Sequence, residues 1–110
     1  MPQFNDFIFI KSEYKLVRID LSTVLYFSGL RDYTQIYCKG KPQPITTLQN
    51  LKEFEAKLHP EFFVRVHRSF IVSVRQVDTV CKNELTIQQH NIPIGNAYRA
   101  GLQKVIDLYM

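Results

Sequence analysis

A chain of 110 residues is of single-domain length and supports one modest core without disulfide or metal staples. A composition 45% hydrophobic and 22% charged excludes intrinsic disorder, and six Tyr and eight Phe with no Trp lean toward β structure. Fourteen Lys and Arg against ten acids leave a formal charge of +4, which permits a polyanionic partner without requiring one.

Phe7-Ile8-Phe9-Ile10 is an apolar run broken at Ser12-Glu13. Tyr14 to Ile19 then resumes with Leu16 and Arg18 on one face and Val17 and Ile19 on the other, which predicts a hairpin. Asp20-Leu21-Ser22 predicts a turn in which the Asp20 carboxylate bonds nearby amides. Val24 to Phe27 is a further strand closing at Ser28-Gly29. After Leu30-Arg31-Asp32, the strand Tyr33 to Cys38 sets Tyr33, Gln35 and Tyr37 against Thr34, Ile36 and Cys38. Gly40 and Pro42 to Pro44 mark a loop before a short extended piece at Ile45. Thr46 to Gln49 has a capping-box pattern that predicts a helix start, with Leu48, Leu51, Phe54 and Leu58 as its apolar stripe and His59-Pro60 as its end.

Phe62 to Val72 is the most distinctive stretch. Arg65, Arg68 and Arg75 fall there and just beyond, with no acid among them and β-branched or aromatic neighbours, which predicts extended chain followed by a buried turn. Arg and Ser on a stiff apolar backbone suit a polyanion, because guanidinium forks match phosphate oxygens or the guanine edge. An amphipathic strand with Arg on its wet face fits this segment equally well.

Val77 to Cys81 and Leu85 to Gln88 are strands, and Asn91-Ile92-Pro93-Ile94 is an edge strand because Pro93 lacks an amide donor. Gly95-Asn96 leads into a last helix with Asn96 or its neighbour as the cap, with Tyr98, Leu102, Val105 and Tyr109 on one side and Gly101 weakening it. Eight to ten short strands and two helices make a mainly β fold in one domain over residues 1–110. Cys38 and Cys81, each at a strand end, are expected reduced and buried. With no leader and no apolar run of spanning length, a soluble, cytoplasmic protein is expected. The Met1-Pro2 start also suits a fragment of a longer chain.

Catalysis finds little support. His67 and Ser69 stand two apart, but no Gly-rich elbow surrounds Ser69. His59, His67, His90 and the cysteines lack ligand spacing, and no phosphate loop or dinucleotide fingerprint occurs. No cofactor, metal or enzymatic activity is expected.

Phe7 to Lys11, Val24 to Phe27, Gly29-Leu30-Arg31-Asp32-Tyr33, the Leu48 to Leu58 helix, Phe63 to Val72 with its Arg-Val-His-Arg-Ser-Phe run, and Ile92-Pro93-Ile94-Gly95 before Tyr98-Arg99 together resemble the LytTR (LytR/AlgR-type) DNA-binding domain. The similarity covers nearly the whole chain. It implies an elongated stacked-sheet β fold that inserts loops into successive major grooves of double-stranded DNA. The role implied is transcription regulation, as the effector of a bacterial two-component response regulator. It further implies a receiver domain upstream of residues 1–110 and direct-repeat promoter sites bound by two protomers, a homodimer on DNA being one such arrangement.

Base contacts are implied at Arg31 and Tyr33, at Arg68, and at Asn96, where Ala97 stands in a position that some members fill with Arg. Arg68 suits guanine O6 and N7. Asn96 suits adenine, or a helix cap with a phosphate contact, and Tyr33 suits a thymine methyl or an ordinary strand surface. Lys39, Lys41, Lys52, Arg65, His67, Ser69, Tyr98 and Arg99 are candidates for phosphate, and Arg65 fits an acid in the sheet equally well. The rival class is a β-rich module that adds a peptide strand at an edge near Ile92 to Ile94.

Overall fold

The computed structural model describes residues 6–110, so the Met1-Pro2 start lies outside the described residues. Strands β1 (Phe7–Ser12) and β2 (Lys15–Asp20) form the expected hairpin, with Ile8 opposite Ile19 and Ile10 opposite Val17. Glu13 and Tyr14 join them with φ of 49° and 67°, the left-handed pair that matches the twist of a two-residue hairpin. Leu16 is exposed and Ile19 buried as their alternation implies, and the apolar run at Phe7 to Ile10 alternates too, with Ile8 and Ile10 buried and Phe7 and Phe9 exposed. A 3₁₀ turn at Leu21–Thr23 follows. Asp20 does not cap it: its carboxylate pairs with Arg18, and the Thr23 hydroxyl donates to its carbonyl at 2.7 Å.

The central sheet is antiparallel, in the order β5 (Ile45–Thr47), β4 (Tyr33–Cys38), β3 (Val24–Leu30), β7 (Phe70–Ser73), β6 (Phe63–His67). One face carries Phe27, Ile36 and Ile71 against Ile8, Ile10 and Ile19 of the hairpin and Leu51 and Phe54 of helix α1 (Leu51–Lys57). The other face carries Leu25, Tyr26, Val64, Val66 and Val72. It packs on Leu85, Ile87 and Ile92 of a second sheet and Leu102 of helix α2 (Arg99–Asp107). That second sheet has the order β10 (His90–Pro93), β9 (Glu84–Ile87), β8 (Thr79–Val80). Strand β3 is therefore covered on both sides, and Val24 to Phe27 reads as unbroken apolar sequence because all four are buried. The ring of Phe54 lies 4.9 Å from that of Phe27 and is fully buried, so truncating it to Ala removes about 3–5 kcal/mol.

Tyr26 joins the layers by a polar contact, its hydroxyl lying 3.2 Å from His90 Nδ1 and its ring stacked on Tyr37 at 4.6 Å. Burial, and then the neighbouring Tyr37, push its phenol up to about 12, so it stays a neutral hydrogen-bonding group.

Helix α1 begins later than the Thr46 pattern predicts. Thr46 and Thr47 belong to β5, facing Gln35 and Thr34. The Thr34 hydroxyl donates to the Gln49 carbonyl at 2.7 Å and the Gln49 amide to Thr47 Oγ1 at 3.3 Å, holding this connection extended. The cap is Asn50, whose side-chain oxygen accepts from the Glu53 amide at 2.9 Å, and Leu48 is 82% exposed, outside the apolar stripe. No helix is long and apolar enough to cross a membrane.

The cysteines differ. Cys38 is buried as expected, but Cys81 is exposed, because β8 is only two residues long and lies at a sheet edge. Burial raises the Cys38 thiol, against smaller opposing effects of a Thr23 hydrogen bond and Lys41. A disulfide-exchange reagent at about pH 8 should thus titrate one thiol in the native protein and the second only in denaturant. Cys81→Ser should abolish the fast phase, and fast labelling of both thiols in the native state would contradict the burial.

Candidate nucleic-acid interface

Three connections come together at one end of the central sheet. Strands β3 and β4 pair to their very ends, Leu30 opposite Tyr33, which pushes Arg31 and Asp32 out as an exposed two-residue tip. Strands β6 and β7 turn at Arg68 and Ser69. The Gly29 amide donates to the Ser69 carbonyl at 2.8 Å, tying the second tip to the base of the first. Gly29 is also the point where α1 approaches, since a Cβ there would stand 2.8 Å from Leu51 Cδ1. The third connection follows β10, where the Gly95 amide donates to the Val66 carbonyl at 2.8 Å and the Ile94 amide to the Asn83 carbonyl at 2.9 Å.

The first two tips and the start of α1 enclose an open groove of about 660 Å³. Arg31, Lys52, Arg65 and Arg68 line it, and Asp32 is the one acid among its lining residues. Tyr33, 38% exposed, and Ser69 line it too. The expected buried turn is exposed at its apex: Arg68 carries no ion pair among the described residues. The Arg68 side chain is exposed, and the described contacts at Arg68 and Ser69 are to their backbone.

What holds it is Arg65. This guanidinium donates from Nη2 to the Arg68 carbonyl at 2.5 Å, from Nε to the His67 carbonyl at 3.3 Å, and from Nη1 to Glu55 Oε1 at 3.0 Å. Its side chain is only 20% exposed, and Tyr98 lies beneath it with the ring centroid at 6.0 Å. The acid that pairs with Arg65, Glu55, lies on α1 and not in the sheet as expected, and the guanidinium braces the tip. A register shift between Arg65 and His67 interrupts the ladder just before the turn, and the guanidinium adds contacts there.

His67 accepts at Nδ1 from the Ser69 amide, 3.1 Å away. An amide can only donate, so the proton of the neutral ring sits on Nε2, and Nδ1 is not a base for the Ser69 hydroxyl. Among the described residues no three His, Cys, Asp or Glu side chains converge on a metal position.

Several expected contacts lie elsewhere or are already engaged. Lys39 and Lys41 follow the far end of β4, about 20 Å along the strand from Tyr33, and do not join this surface. Arg99 donates to Asn96 Oδ1 at 3.0 Å, to Asn83 Oδ1 at 2.6 Å and to the Lys82 carbonyl, so it fastens α2 to the β8–β9 connection. Asn96 is not the cap of α2; it opens a 3₁₀ turn, Asn96–Tyr98, and keeps its amide NH₂ exposed. Tyr98 is partly buried against Gly95. Glu55, Gly29 and Asn83 were not foreseen. The Asn50-to-Glu53 spacing repeats the capping pattern and was the one available signal for where α1 begins.

Arg65→Lys keeps the charge but cannot reach Glu55 and both carbonyls at once. We expect it to lose about 1–3 kcal/mol in urea denaturation and to speed hydrogen exchange at the Ser69 and Gly29 amides. Unchanged exchange at both would show that the turn does not need the brace.

A family model for the LytTr DNA-binding domain matches residues 14–107 of the chain. Among solved structures, the LytTr DNA-binding domain of a protein assigned as a methyl-accepting/DNA response regulator from Bacillus cereus has the same fold. It superposes with a TM-score of 0.80 over 93% of this chain and 97% of that one, at 22% sequence identity.

Proposed function

The chain belongs to the LytTr DNA-binding domain family, and we propose that it binds double-stranded DNA sequence-specifically as the effector of a two-component response regulator in the bacterial cytoplasm. It is a DNA-binding domain and not a catalytic fold. The observation that carries the specific reading is the groove at the sheet end, where Arg31, Lys52 and Arg68 stand around one acid and Arg68 tops a turn braced from behind.

In this reading the tips enter the major groove. Arg68 spans O6 and N7 of a guanine, a pairing that discriminates by ~1–3 kcal/mol. Arg31 and Tyr33 read neighbouring bases, and Asn96 reaches a third position through its exposed amide. Lys52, Ser69 and the Nε2–H of His67 hold phosphates and set the register. Residues 1–110 act as one domain, and a receiver domain upstream in a longer chain supplies the phosphorylation input. Two protomers occupy direct repeats, with half-sites about 34–36 Å apart. Two of the molecule's three extents, 30 and 25 Å, are shorter than that spacing.

Duplex binding over a salt series tests this. Arg68→Ala should flatten the preference among sequences with modest loss of nonspecific affinity. Lys52→Ala should weaken all duplexes alike and reduce the log–log salt slope by about 0.9. Wild-type selectivity in Arg68→Ala, or affinity insensitive to salt, would refute the assignment and favour an edge-strand peptide module at β10.

A further inference from the structure

A second, separate cleft lies at the other end of the β6–β7 pair, about 15 Å along β7 from the Arg68 turn. We propose that it is a binding site for a small phosphate-type oxyanion, inorganic phosphate or a compact phosphate monoester. It is half-enclosed, about 190 Å³ in volume, and none of its lining residues lines the DNA groove. Sites for drug-sized ligands run to ~300–1,000 Å³, so the occupant is small.

Ser73 lines this cleft and is 3% exposed, yet its hydroxyl makes no hydrogen bond to any described residue. The hydroxyl is not closed off from solvent, since no buried side-chain polar atom among the described residues lacks a partner, and it can donate to an oxyanion held in the cleft. Beside it Arg75 lies over the ring of Phe62, 3.9 Å from guanidinium carbon to centroid. Stacking occupies the face of the guanidinium and leaves its N–H edge for two parallel bonds to an oxyanion. Lys57, in the last turn of α1, adds a second cation, and neither cation has an ion pair among the described residues. His59 stacks on the same Phe62 at 4.7 Å. Asp6 is the single acid in the lining, so the cleft keeps a positive balance.

The ¹⁵N-labelled chain titrated with sodium phosphate, against sodium chloride at matched ionic strength, tests the site. Saturable shifts should appear at Ser73, Arg75 and Lys57, with a Kd of about 1 mM or tighter. Arg75→Gln should weaken binding by about tenfold or more and Ser73→Ala severalfold, both keeping duplex affinity, while Arg68→Ala leaves phosphate binding intact. The proposal falls if the shifts map to Arg31, Lys52 and Arg68, if chloride reproduces them, or if either cleft variant binds phosphate as tightly as wild type.

Discussion

The guanidinium of Arg65 is the group on which the candidate interface depends. From β6 it reaches the carboxylate of Glu55 on α1 and the carbonyls of His67 and Arg68 in one plane, so a single fork joins helix, strand and turn. The ion pair by itself is worth little, because the Glu55 side chain is half exposed and water screens it. The two carbonyls matter more, since they lie in the turn beside the register shift between β6 and β7, where the fork fixes the backbone directly. One cation is thus used up in aiming another. The gain is in preorganisation: a turn already held in shape does not lose its freedom when a partner arrives, a saving of about 0.5–1.5 kcal/mol per ordered side chain.

Main-chain hydrogen bonds extend that rigidity across the sheet end. Gly29 gives its amide to Ser69 and leaves room for Leu51, so the first tip, the second tip and the start of α1 meet at a position without a side chain. Gly95 does the same for the third connection by bonding to Val66, two residues before Arg68. The tips are therefore spaced by backbone geometry, and the side chains they carry are free to differ. Behind them, both faces of β3 are covered and the strand has no wet side on which to slide.

Much of this architecture was legible in the sequence. The hairpin formed by Phe7 to Ile19, the alternation of Tyr33 to Cys38 and the edge position of Pro93 follow from local chemistry, and the ordered motifs pointed to the family. What was not legible depends on contacts distant in sequence. Thr46 and Thr47 have a helix-start pattern, but pairing with Gln35 and Thr34 draws them into a strand and passes the cap to Asn50. Arg65, Arg68 and Arg99 look alike as cations; only Glu55, Asn83 and two turn carbonyls, supplied by other elements, separate the braces from the exposed one. Lys39 and Lys41 are basic and on a loop, yet strand direction carries them to the opposite end.

The bond from Gly95 to Val66 has a counterpart at the other border of the central sheet, where the Ser12 hydroxyl donates to the Thr46 carbonyl at 2.7 Å. Each outermost strand is thus touched by a neighbouring layer through one of the groups that a foreign strand would use. Stacked-sheet proteins are at risk of templated growth, in which exposed amides recruit further chains into fibres. Here those two bonds each occupy one carbonyl of an outermost strand, so fewer free main-chain groups are left on those borders for a foreign strand to pair with.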